Sequence, residues 1–139
     1  MGSNNVLVVD DDSSIRDLLE GLLEEEGYSV TTARNGREAL DVLAQRTDLG
    51  PHVILLDLMM PTLDGYAVMQ ELAANARLRD SHAVVVMSAA QRLSGSRFAL
   101  DHALLPKPFA IDDVLDMVSQ LIHQITHASG DTNNQPTAG

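Results

Sequence analysis

Five polar side chains of this 139-residue sequence stand where short apolar runs stop. Asp10 and Asp11 follow Val6–Val9, Asp57 follows Val53–Leu56, Ser88 follows Ala83–Met87, and Lys107 follows Leu104-Leu105-Pro106. Carboxylates gathered at one place repel each other unless a cation or a proton intervenes. Hard oxygen donors with no cysteine and no neighbouring histidine suit Mg²⁺, which takes carboxylates, waters and a phosphoryl group. Lys107 adds a mobile positive charge and Ser88 a hydroxyl. A cation, an ammonium and a hydroxyl around one carboxylate suit phosphoryl transfer to that carboxylate, where positioning and charge stabilisation carry the chemistry. Taken singly, each residue has a plainer use. An isolated aspartate after a strand more often caps the next turn, Asp12 suits a helix cap, serines commonly end strands, and a lone lysine is commonly a surface charge. The chemical reading rests on their convergence.

That convergence needs elements to produce it. Apolar runs without polar alternation predict strands covered on both faces, as in a parallel sheet. Strands are expected at Val6–Val9, Tyr28–Ala33 (more polar, suited to an edge), from Val53 to Asp57, at Ala83–Met87 and at Leu104-Leu105, ending at Lys107. Ile15, Leu18, Leu19, Leu22 and Leu23 form the stripe of a helix lying on a core, with Ser13 or Ser14 as its N-cap and Gly27 as its left-handed C-cap. Asn35-Gly36 leads into a second helix with Ala39, Leu40 and Leu43. A third is expected from about Tyr66 to Ala76, burying Val68, Met69 and Leu72. Thr47–Pro51 reads as a loop, and 89–103, broken by Ser94-Gly95-Ser96, as a short or irregular helix. A last helix carries Ile111, Val114, Leu115, Val118, Leu121, Ile122 and Ile125. Strands alternating with helices call for right-handed crossovers. The expected fold is α/β: a doubly wound five-stranded parallel sheet, order 2-1-3-4-5, flavodoxin-like, with helices on both faces. Its switch point sets Asp10, Asp11 and Asp57 a few ångströms apart.

Composition narrows the classes. A hydrophobic fraction of 45% supports a real core in one domain. Residues 1–5 read as a leader, 6–127 as the folded unit and 128–139 as a disordered polar tail, with no output domain after it. A net charge of −11 and 3% aromatics argue against direct nucleic-acid binding. No apolar run is long enough for a membrane span, no signal peptide is indicated, and the absence of cysteine makes a cytoplasmic setting the expectation.

Asp10-Asp11, Asp57-Leu-Met-Met-Pro-Thr-Leu-Asp-Gly65, Ser88-Ala89 and Lys107-Pro108-Phe109, in that order at four strand ends, resemble the receiver domain of two-component response regulators over about Val6 to His127. The resemblance implies a stand-alone receiver whose Asp57 takes a phosphoryl group from a histidine kinase or histidine phosphotransfer protein and which then binds an unidentified downstream protein. It implies that Asp10, Asp11, Asp57 and the backbone carbonyl of Met59 hold Mg²⁺, that Ser88 and Lys107 follow the phosphoryl oxygens, and that Lys107-Pro108 is cis. It also implies that Met59 and Ala90 flank the path of hydrolytic water, with Ala89 leaving the acceptor open. Apolar Met59 and Ala90 would then make spontaneous loss of the phosphoryl group slow. Two departures bear on output: Leu104 replaces the usual aromatic switch residue, and the 88–107 segment is short. They motivate one alternative, a docking module of receiver fold whose output ignores phosphate. Asp10-Asp11-Asp12 contains an Asp-x-Asp, which motivates another, a Mg²⁺-dependent phosphohydrolase.

Overall fold

A computed structural model of the chain describes residues 4–45, 52–58, 65–75, 82–89 and 103–138. The strands are β1 (Asn5–Val9), β2 (Ser29–Ala33), β3 (His52–Asp57), β4 (Ala83–Ala89) and β5 (Ala103–Lys107). All pair in parallel in one sheet of order β2-β1-β3-β4-β5, as the doubly wound layout requires. The described helices are α1 (Ser13–Glu25), α2 (Gly36–Gln45), α3 (Gly65–Ala74) and α4 (Ile111–Ala138). The expected loop at 47–51 and helix within 89–103 lie outside the described residues, apart from Ala89 and Ala103, which belong to strands.

Alternation along the central strands builds two cores. Val6, Val8, Val53 and Leu55 face Leu19 and Leu23 of α1 and Val114 and Val118 of α4. Leu7, Val9, Ile54 and Leu56 face the other way, against α2 through Leu43 and α3 through Val68, Met69 and Leu72. Fully burying one such side chain stabilises by about 1.5–3 kcal/mol. A one-residue slip would exchange the two faces, so paired burial fixes the register. β2, with its polar Ser-Val-Thr-Thr-Ala sequence, is an edge strand.

Of the caps open to helix α1, Asp12 takes the position rather than either serine: its carboxylate accepts the N–H groups of Ser14 (2.9 Å) and Ile15 (3.4 Å). The N–H of Asp12 donates in turn to Asp10 Oδ1 at 2.9 Å, which sets the turn one residue earlier than Ser13 and two earlier than Ser14 would. At the other end Gly27, at φ +95°, takes the left-handed position. The N–H groups of Gly27 and Tyr28 donate to the carbonyls of Glu24 and Leu23, and Tyr28 packs on the core that contains Leu23, which is the Schellman arrangement. Leu18 leaves the expected stripe and is 48% exposed, because the line Ile15-Leu19-Leu23 meets the sheet and Leu18 is rotated off it.

At the start of α2, Asn35 Oδ1 accepts the Glu38 N–H, and the Glu38 carboxylate accepts the N–H and the Nε–H of Arg34. The Arg34 main-chain N–H, followed by its guanidinium, holds the Glu38 carboxyl below its ordinary value. A folded-state pKa below the unfolded one stabilises above the ordinary carboxylate range, and the contribution disappears as pH falls through the lowered value. The pair is largely exposed. Glu38→Gln is therefore expected to lower stability at neutral pH by no more than about 0.5 kcal/mol. Thermal unfolding of the two proteins should converge in strong acid.

His52, buried at the start of β3, donates its N–H to His82 Nδ1 at 2.9 Å, joining the entrances to β3 and β4 at the edge opposite the carboxylates. The last helix does not stop near His127. Its backbone runs to Ala138, across residues read as a disordered tail. Val114 and Val118 anchor its first turns, and a helix once nucleated extends without a new nucleation cost, although Pro136 has no N–H to add to the ladder. Among the described residues no helix is long and apolar enough to cross a membrane.

Candidate functional site

Val9 of β1 is paired with Leu56 of β3, so Asp10 and Asp57 are the next residues on adjacent strands. One carboxylate oxygen from each of Asp10, Asp11 and Asp57 lies within 4.8 Å of the others. Asp10 and Asp57 are buried and Asp11 is exposed. Lys107, at the end of β5, reaches across β4 to both buried acids: its Nζ lies 2.9 Å from Asp10 Oδ2 and 3.7 Å from Asp57 Oδ1. Met87 is the partner of Asp57 in the register, and Ser88, buried, is the next residue on β4. The Lys107–Pro108 peptide is cis.

Every polar group of Asp10 is engaged. Its N–H donates to the Ala33 carbonyl (3.1 Å), its carbonyl accepts Arg16 Nη1 (2.7 Å), Oδ1 accepts the Asp12 N–H and Oδ2 accepts Lys107. Asp11 differs: among the described residues its carboxylate has no hydrogen-bond partner, so only its backbone holds it in place. Gly65, at the start of α3, packs against the Asp57–Leu58 backbone, its N–H donating to the Leu58 carbonyl at 2.9 Å. A Cβ on Gly65 would lie 2.6 Å from both the Asp57 carbonyl oxygen and Leu58 Cα.

Three carboxylates facing one ammonium leave the site negative, and its donors are all hard oxygens. That set fits a small dication such as Mg²⁺. Because the Asp11 carboxylate makes no hydrogen bond or ion pair among the described residues, Asp11→Asn removes charge and little else. It is expected to weaken Mg²⁺ about tenfold or more without lowering the unfolding midpoint measured in EDTA. An unchanged Mg²⁺ affinity by calorimetry would remove Asp11 from the metal site.

Asp10, Asp11, Asp57, Ser88 and Lys107 are thus brought to one edge. Met59 and Ala90 lie outside the described residues, as does the side chain of Ala89. Leu104 is 44% exposed on β5, beside an open cleft of about 330 Å³ between β5 and α4 that includes Met117 and Gln120. Sequence reasoning missed Arg16. Its contact links a side chain on α1 to a carbonyl six residues earlier, a spacing that no helical or strand period marks.

The family profile described as the response regulator receiver domain matches residues 6–119. Response regulator MprA of Mycolicibacterium vanbaalenii is 38% identical over 128 residues, covering 90% of this chain and 53% of that protein. Among solved structures, the receiver domain of the Francisella response regulator 1452 aligns with a TM-score of 0.72 at 32% identity, covering 88% of this chain and 98% of that one. Vibrio cholerae CheY4, a chemotaxis protein, aligns with a TM-score of 0.72 at 26% identity, covering 86% and 98%. A doubly wound sheet with an acidic cluster at its switch point, reached by a lysine from β5, is the arrangement of a receiver fold. The chain belongs to the response regulator receiver domain family. It spans about half the length of the curated relatives it matches.

Proposed function

We propose that Asp57 accepts a phosphoryl group from a phosphohistidine on a histidine kinase or phosphotransfer protein, and that the phosphorylated form binds a downstream protein. The observation that carries this is the meeting of three carboxylates within 4.8 Å with Lys107 between Asp10 and Asp57. In the transfer, the P–N bond of the donor breaks as an oxygen of Asp57 forms the new P–O bond, and the donor imidazole leaves. Asp10, Asp11 and Asp57, joined by the backbone carbonyl of Met59, would hold Mg²⁺, whose charge offsets that on the phosphoryl oxygens. Lys107 moves from Asp10 to a phosphoryl oxygen, and the Ser88 hydroxyl donates to another. Burial of Asp57 keeps the acyl phosphate among fixed donors rather than water. Met59 and Ala90 offer hydrolytic water no hydrogen-bonding side chain, so the phosphoryl group is lost slowly.

The test is incubation with a low-molecular-weight acyl phosphate, with Mg²⁺ or with EDTA, followed by intact mass. One phosphoryl adduct in Mg²⁺ and none in EDTA is expected; an adduct that forms equally in EDTA would contradict the metal-assisted reading. The exposure of Leu104 beside the β5–α4 cleft favours a second reading, a docking surface indifferent to phosphate. Equal partner affinity with and without the phosphoryl group would select it.

A further inference from the structure

Asp11 is the most exposed of the three carboxylates and, among the described residues, has no side-chain hydrogen bond or ion pair to aim it. Its direction is therefore set by the two residues on either side, and both are held by one side chain and its backbone. Arg16 donates Nη1 to the Asp10 carbonyl at 2.7 Å, and its N–H donates to the Asp12 carbonyl at 3.0 Å. Asp10 and Asp12 are further tied to each other by the Asp12 N–H to Asp10 Oδ1 bond. The three-residue loop is thus fastened to the first turn of α1 at both ends, leaving the Asp11 carboxylate as its free tip.

We infer that Arg16 is a positioning residue for the dication: by clamping the Asp10 carbonyl it orients Asp11 as a ligand. The inference rests on the phosphoacceptor reading for its consequence, but it concerns metal affinity alone. Two effects of Arg16 oppose each other. Its positive charge near the acid cluster disfavours a dication, whereas its clamp favours one by removing freedom that Asp11 would otherwise lose on binding. The clamp prevails, because a guanidinium part-exposed to water is screened, whereas a loop left unfastened must be ordered anew by each ion. Partners that orient metal ligands are commonly worth about 10- to 100-fold in affinity.

The experiment is Mg²⁺ titration by calorimetry of the full chain carrying Arg16→Met, Arg16→Lys, Asp11→Asn and Arg16→Met/Asp11→Asn, with unfolding midpoints in EDTA measured alongside. Arg16→Met is expected to weaken Mg²⁺ about tenfold or more, and Arg16→Lys, which keeps a donor at reduced reach, to fall between it and wild type. If Arg16 acts through Asp11, the double variant binds no more weakly than Asp11→Asn alone. A fully additive double variant, or Arg16→Met binding as tightly as wild type or tighter, would overturn the inference. Should Arg16→Met not fold, Arg16→Lys and its combination with Asp11→Asn make the same comparison. Wild type that binds no Mg²⁺ and takes no phosphoryl group would instead defeat the phosphoacceptor reading, a result distinct from every one above.

Discussion

Asp57→Asn is expected to fold as wild type does and to take up no phosphoryl group. A neutral amide lacks the nucleophilic oxygen that the carboxylate supplies, so the loss is complete rather than graded. Stability should not suffer with it. Asp57 sits in a cluster of three carboxylates, and removing one charge relieves repulsion. Its ammonium partner at 3.7 Å keeps the closer bond to Asp10 at 2.9 Å. The unfolding midpoint in EDTA is therefore expected to stay level or rise, while intact mass after exposure to an acyl phosphate shows no adduct. An adduct on the variant at the wild-type rate would place the acceptor elsewhere.

Gly65→Ala is expected to damage fold and site together. The added Cβ would meet the Asp57 carbonyl oxygen and Leu58 Cα at 2.6 Å, and both are backbone atoms that no rotamer change can move aside. Either the first turn of α3 moves off the sheet or the Asp57–Leu58 peptide shifts. Overpacking of this kind costs about 1–3 kcal/mol, roughly a 10 °C fall in melting temperature for a domain of this size. Displacing the acceptor's own peptide should also slow phosphoryl loading, since misplacement of about 1 Å can cost on the order of 100-fold. Gly21→Ala is the control. Gly21 lies in α1 with no neighbouring atom within 4 Å of its would-be Cβ, so alanine there should stabilise by about 0.5–1 kcal/mol. A Gly65→Ala protein as stable as the Gly21→Ala one would show that the α3 start yields easily.

Much of this was legible in the residues because burial on both faces leaves a plain mark. Val53–Leu56 has no polar alternation, and every residue of β3 is buried. The strand ends follow from the same runs, so the shared edge of Asp10, Asp57, Ser88 and Lys107 is legible in the sequence. Contacts that depend on side chains crossing between elements were not legible. Asp12, Ser13 and Ser14 all suit a cap by residue type, and the choice of Asp12 turns on the hold of Asp10 Oδ1 on its N–H, a detail at the end of a strand. Leu18 fits a helical stripe by spacing but lies outside the sheet's footprint. Past His127 the residues carry no apolar stripe to mark a helix, although the backbone of α4 continues there.

The central claim is that Asp57 itself carries the phosphoryl group. Its most direct test is reduction of the phosphorylated protein with borohydride, which converts an aspartyl phosphate to homoserine, followed by peptide mapping. Homoserine at position 57, formed with Mg²⁺ and absent without it, is the expected result. Homoserine at position 10 or 11, or a phosphoryl group that resists reduction and maps to Ser88 or a histidine, would contradict the account.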